Sequence, residues 1–442
     1  MNILSITAGA AGMYCGSCLR DNALAVELLR RGHKVTLLPL YTPTSPDERN
    51  VSRNQVLFGG ISVYLQQYSP FFRKFRFLDR LIDSPWFIQA LASRSLSTDP
   101  RLLGELTVSM LEGENGVLRK EFDKLLEWMA GEPIPDVINL PNTLLIGLAA
   151  PLRRALRRPI CCTLQGEDLF LEGLIEPYRS RAIELIKAHV PQVDRFISVS
   201  DYYVPVMSKL LAIPADRMAV VPLGINLDGY VRAPRRRRDP FRVGYFARVA
   251  PEKGLQELAD AYIVLRRATK NARMRLDAAG YMAPAQANYL EGVKRTLAAA
   301  GLADEFMYHG ALDRDAKLEF LQSIDVLSVP ATYEEPKGVF VLEAMGVGVP
   351  VVLPRRGAFT ETMEKTGGGL LVPAADPVAL AAGIQQIFDD SDLADRLATQ
   401  GFDGVRQHYS IGRSTDRLLA VYDSMIMAGG SRPLDTDRAA GF

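Results

Sequence analysis

Glu335 and Glu343 stand eight positions apart, with Pro336, Gly338 and an apolar run between them. Arg248 and Lys253 form a second pair, five positions apart, where an apolar run ends and a helical pattern begins. Two cations converging with the free amides of a helix start make an anion site, and phosphate is the natural occupant. Gln165 closes a third apolar run, 159–164. Its amide can hydrogen-bond a hydroxyl but cannot act as a base. For any one of these charges a solvated surface position is the plainer alternative. At Glu343 that alternative is weakened, because the rest of its helix is mostly apolar. A buried carboxylate is costly unless a ligand hydroxyl or a basic partner relieves it. Cys15 and Cys18 have the spacing of a redox or metal pair, yet a zinc site would need two more ligands. Cys161 and Cys162 are adjacent and far away, and His33, His189, His309 and His408 are scattered, so no metal site is expected.

The chain has 442 residues, more than one ordinary core organises, so two domains are expected. Its composition, 48% hydrophobic and 23% charged, is that of a soluble globular protein. A net charge of +1 supplies no global field for nucleic acid, which is not expected as a partner. Four cysteines in this length make no disulfide framework. No Lys or Arg precedes the apolar stretch 3–11, so it does not read as a secretory leader. The longest apolar runs are interrupted by Pro141, Pro151 or Glu343. The expected location is therefore cytoplasmic.

The elements that must carry these side chains alternate strand and helix. A strand over 2–7 enters a loop holding Gly9, Gly12 and Gly16; a helix over 19–31 and a strand over 34–40 follow. The Gly12 loop suits phosphate or sugar. It lacks Gly-x-Gly-x-x-Gly and an acid after the second strand, which excludes the dinucleotide fingerprint. Residues 41–135 show no clear period. Within them, 71–87 mix aromatic and basic residues. That stretch reads either as a segment touching a membrane or greasy acceptor, or as a helix with arginine stems lying on a core. Strands follow over 136–140, 159–164, 194–201 and 219–226, with a helix over 141–155. Residues 230–240, with Pro234, Arg235 to Arg238 and Pro240, read as a linker. Strands then fall at 241–246, 274–279, 306–310, 324–330 and 349–353. Arg248 leaves the first of these, Gly280 the second and Glu335 the fourth. Such strand exits form the ligand crevice of a parallel sheet. Helices over 376–388, 393–400 and 410–427 end the pattern, and 429–442 read as a loose tail.

The Glu335/Glu343 spacing resembles the paired-glutamate signature of family 4 retaining glycosyltransferases. The Arg248/Lys253-Gly254 pair, the Pro-x-Gly-x-Asn turn at 222–226 and the stretches 355–361 and 366–372 are similar to that family's further motifs. The resemblance implies an α/β fold of GT-B type, two Rossmann-like domains facing each other across a cleft. The acceptor-side domain would span 1–229 and the nucleotide-sugar domain 230–410. A helix over 411–428 would return to the first domain, leaving a tail over 429–442. It also implies metal-independent transfer of a sugar from a nucleoside diphosphate sugar, with no separate cofactor. The acceptor is a saccharide, lipid or small molecule that the residues do not specify. Peripheral membrane contact would run through 71–87.

By the same resemblance, Arg248 and Lys253 stabilise the departing diphosphate and Glu335 lies by the donor sugar. Glu343 holds the ribose, and the Gly338 and Val339 amides assist the phosphates. Gly280 lies near the donor, the Gly12 loop approaches donor or acceptor, and Gln165 faces the acceptor. The family usually carries histidine at the Gln165 position. If that histidine only positions the sugar, Gln165 serves; if it must titrate, the chain is impaired or takes another substrate. Two rivals remain open on this reading: a nucleotide-sugar epimerase, and a non-catalytic sugar-nucleotide-binding protein.

Overall fold

β1 (Asn2–Thr7) is buried along its length after its first residue, as a central strand covered on both faces must be. It pairs in parallel with β2 (Lys34–Pro39) on one side and β3 (Val137–Leu140) on the other. β4 (Ile160–Leu164), β5 (Arg195–Ser198) and β6 (Met218–Val220) extend the sheet in the order β2-β1-β3-β4-β5-β6. A second parallel sheet runs β12-β11-β10-β7-β8-β9. Its strands are β7 (Phe241–Phe246), β8 (Met274–Ala279), β9 (Phe306–Tyr308), β10 (Val326–Leu327), β11 (Val351–Pro354) and β12 (Gly369–Val372). These features belong to a computed structural model that describes residues 1–9, 16–44, 46–54, 56–58, 100–232 and 238–430. Gly12, Cys15 and the segment 71–87 lie outside the described residues.

The chain divides into two units. The first comprises Met1–Val199, Val204–Val221 and the residues from Thr415 onward; the second comprises Ser200–Tyr203 and Pro222–Ser414. The division at Pro222 falls earlier than the 229/230 boundary read from the sequence. Leu223, Ile225 and Tyr230 explain this, because all three are buried in the core of the second unit. Tyr230 is thus a core residue rather than the first residue of a linker.

Two further readings change. The expected helix over 141–155 is a 3-10 segment, Thr143–Leu148, followed by a helix, Ala149–Leu156. Pro151 has no amide hydrogen to donate back to Gly147, so a continuous α-helical ladder cannot cross it. The helix expected over 393–400 runs as Ser391–His408. Asp390 caps it, its carboxylate accepting from Leu393 N at 2.8 Å.

Candidate functional site

The second unit delivers most of the candidate residues at the carboxyl edge of its sheet. β7 ends at Phe246, and the chain passes Arg248 into a 3-10 turn, Pro251–Lys253. Gly254 then takes φ 76° and the helix Leu255–Ala268 begins. A Cβ on Gly254 would lie 2.0 Å from the Pro330 carbonyl oxygen, so this turn packs against the β10 exit only with glycine. Thr332 N donates to the Glu252 carbonyl at 3.0 Å, tying the loop after β10 to the same turn.

Across that contact Lys253 meets Glu335. Lys253 Nζ lies 2.5 Å from Glu335 Oε2 and 2.5 Å from the Tyr333 hydroxyl. The hydroxyl donates to the same carboxylate oxygen. The other oxygen, Oε1, accepts from the amides of Lys337 at 3.2 Å and Gly338 at 3.3 Å. Glu335 is 2% exposed. Burial alone would push its carboxyl up. The charge and hydrogen bond of Lys253, with the Tyr333 hydroxyl, outweigh burial and hold it down at about 2. Gly338, at φ 64°, caps the helix Val339–Gly346, so the carboxylate sits where free amides and the helix dipole favour an anion. Arg248 is exposed, and its guanidinium pairs with Glu252 at 2.6 Å.

Glu343 lies one turn further along that helix, whose residues from Phe340 to Gly346 are all buried. Its Oε1 accepts from Lys317 Nζ at 2.8 Å and from the Tyr230 hydroxyl at 3.4 Å. The two charged side chains are 4% and 5% exposed. Of the two ways to relieve a buried carboxylate, the structure supplies the basic partner, carried on the helix Arg314–Ser323. Gly280 takes φ 138°, and a Cβ there would lie 1.9 Å from the Ala247 carbonyl oxygen. Its amide donates to Gly310 O at 2.8 Å and its carbonyl accepts from the Tyr308 hydroxyl at 2.7 Å, so both polar groups serve the protein itself.

Gln165 belongs to the first unit, at the exit of β4, and is 4% exposed. Its Nε2 donates to the Pro141 carbonyl at 2.7 Å, and its Oε1 is buried without a hydrogen-bond partner among the described residues. Its backbone amide donates to Glu167 Oε2 at 2.7 Å. Glu167 also accepts from the amide and hydroxyl of Thr143, at 3.1 and 3.0 Å. Burial pushes the Glu167 carboxyl up, against the pull of these hydrogen bonds.

Lys253, Glu335 and Gly338 thus come together, Arg248 sits on the adjoining turn, and Glu343 stands further along the same helix. Sequence reasoning missed Tyr333, Lys317 and Glu252. Tyr333 was findable, because residues two apart in an extended loop point the same way, which puts it beside Glu335. Lys317 gave no such signal, since its partner is twenty-six positions away. Among the described residues no group of three or more His, Cys, Asp or Glu could hold a metal, and no helix is long and apolar enough to cross a membrane.

Two family models match this chain in succession: "Glycosyltransferase Family 4" over residues 110–228 and "Glycosyl transferases group 1" over 230–403. A phosphatidyl-myo-inositol mannosyltransferase of Mycobacterium leprae is 26% identical over 214 residues, 47% of this chain and 54% of that protein. A 2-deoxystreptamine N-acetyl-D-glucosaminyltransferase of Streptomyces fradiae is 30% identical over 187 residues, 39% of this chain and 43% of that protein. This chain therefore spans about half the length of these relatives. Among solved structures, sucrose-phosphate synthase from Thermosynechococcus elongatus superposes with a TM-score of 0.71 at 19% identity, covering 97% of this chain and 99% of that one. The Anabaena protein HepE, crystallised with UDP and glucose, gives a TM-score of 0.64 at 17% identity, covering 96% and 100%. At these identities the likeness concerns the fold: α/β, two Rossmann-like domains, GT-B. The two domain models follow one another along the chain and the paired glutamates lie on the second, so the chain carries a Glycosyltransferase Family 4 domain followed by a Glycosyl transferases group 1 domain.

Proposed function

We propose that this chain is a retaining glycosyltransferase that moves a sugar from a nucleoside diphosphate sugar to a hydroxyl-bearing acceptor. The observation that carries the reading is the Lys253–Tyr333–Glu335 cluster, an ionised carboxylate and a cation meeting at a helix start. Arg248 and Lys253 neutralise charge building on the departing diphosphate, an effect worth about 3 kcal/mol per well-placed donor. Glu335 steadies the sugar's hydroxyls or the positive charge developing at its reacting carbon. Glu343 receives the ribose hydroxyls, its charge maintained by Lys317. Val339 presents its amide to the phosphates while the Gly338 amide stays on Glu335, and Gln165 holds an acceptor hydroxyl through Oε1. The acceptor attacks from the face the diphosphate leaves, and a diphosphate oxygen takes its proton. The nucleotide sugar is co-substrate, and the reaction as drawn uses no further cofactor.

A panel of nucleoside diphosphate sugars, scored by thermal shift and by slow hydrolysis, tests this. One donor class should raise the melting temperature and be hydrolysed. Glu335→Ala should abolish turnover while leaving nucleotide affinity nearly intact. A panel in which nothing binds and nothing is hydrolysed would sink the reading. Gln165, where the family has histidine, supports a second reading as a non-catalytic sugar-nucleotide binder; tight binding with no turnover would select it.

A further inference from the structure

We propose that Tyr333 is a positioning residue that keeps Glu335 ionised and aimed after Lys253 has turned toward the diphosphate. The inference rests on the functional reading above and adds a residue to it. In the structure Lys253 is neutralised by Glu335. A diphosphate arriving at Lys253 competes for the same ammonium, and phosphate oxygens form strong charge-assisted bonds. As Lys253 turns, Glu335 loses its cation. A carboxylate 2% exposed would then keep only the Lys337 and Gly338 amides, and burial would drive it toward taking a proton.

Tyr333 answers that problem by geometry. Its hydroxyl has one hydrogen to donate and lone pairs to accept with. It donates to Glu335 Oε2 and accepts from Lys253, so the bond to Glu335 survives when Lys253 leaves. The loop that carries it is fixed on both sides. Thr332 N is bonded to Glu252 O, and Arg356 Nη1 donates to Thr332 O at 2.9 Å. Burial, and then the neighbouring Glu335 charge, push the phenol well above its ordinary value, so the hydroxyl stays a donor at any working pH. The charged or titratable groups facing Glu335 are Lys253, Tyr333 and Lys337, and Arg248 and Glu252 also face Tyr333.

Tyr333→Phe keeps the ring and removes only the hydroxyl. The experiment follows steady-state hydrolysis of the nucleotide sugar that the wild-type protein accepts, across the acid range. For the variant, kcat should fall about 10- to 100-fold with KM little changed, as expected for one lost hydrogen bond to a charged group. The acid limb of its kcat profile should move to higher pH, because Glu335 protonates more readily without that donor. A wild-type kcat and acid limb in the variant overturns the proposal. So does a loss confined to KM, or a lowered melting temperature with an unmoved acid limb, which would make Tyr333 a packing residue. A wild-type protein that turns over no nucleotide sugar defeats the functional reading, and this inference with it.

Discussion

A buried carboxylate must be answered locally, and at Glu343 the answer is Lys317 at 2.8 Å. The pair makes a specific expectation about stability. Lys317→Met strands a charge in the core and should cost about 3–5 kcal/mol, measured by denaturant unfolding. Lys317→Met combined with Glu343→Leu removes both charges and should recover most of that loss, while nucleotide affinity stays low. A double variant that regains affinity along with stability would release Glu343 from the ribose. The need for a partner at Glu343 was legible in the sequence, because the apolar run around it marks the helix as buried. The partner itself was not legible, since only tertiary packing brings residues 317 and 343 together. Glu335 read as a loop charge facing a ligand. Its bond to Lys253 became visible only once the two loops were seen in contact.

At the scale of elements, the site depends on close approach of strand exits. Gly254, at φ 76° under the Pro330 carbonyl, and Gly357, whose Cβ would lie 2.3 Å from the Glu335 carbonyl oxygen, let the loops meet. Gly254→Ala should displace Lys253 and lower turnover by about tenfold or more, the order expected when a reacting geometry slips by about an ångström. Gly292→Ala, where a Cβ meets nothing within 4 Å, is the control and should leave kcat unchanged. Equal activity of Gly254→Ala and the control would show that the turn has slack. Five of the six strands of the second sheet were legible, because each is a short apolar run ending in glycine, proline or charge; β12 was not, because its few apolar residues follow three glycines. The first half was read less well at 141–155, where Pro151 lies inside an apolar period that looked continuously helical.

Across the whole molecule, the two units carry different parts of the proposed chemistry. The anion-binding turn and both glutamates belong to the second unit, and Gln165 to the first. A nucleoside diphosphate added alone should therefore slow amide exchange in the second unit, at 248–256 and 332–343, and leave the first sheet close to its free rate. Protection appearing first at β1 to β4, measured by exchange mass spectrometry, would move the nucleotide to the other half. The two-unit organisation was legible from length and the repeated strand–helix alternation. The burial of Tyr230 was not, because the polar stretch around 230 conceals it.

The residues from Thr415 onward count with the first unit. Within it Asp416 pairs with Arg31 at 2.5 Å, and Tyr422, 1% exposed, neighbours the buried Arg20 and Cys161. A ribosome releases Thr415–Gly430, the greater part of the helix Ile411–Gly430, only after the second unit has emerged. The later-made half can therefore finish folding while the earlier-made one still waits for its last piece. During that interval Arg20 and Cys161 lack their cover, and the nascent first half is the natural client for a chaperone.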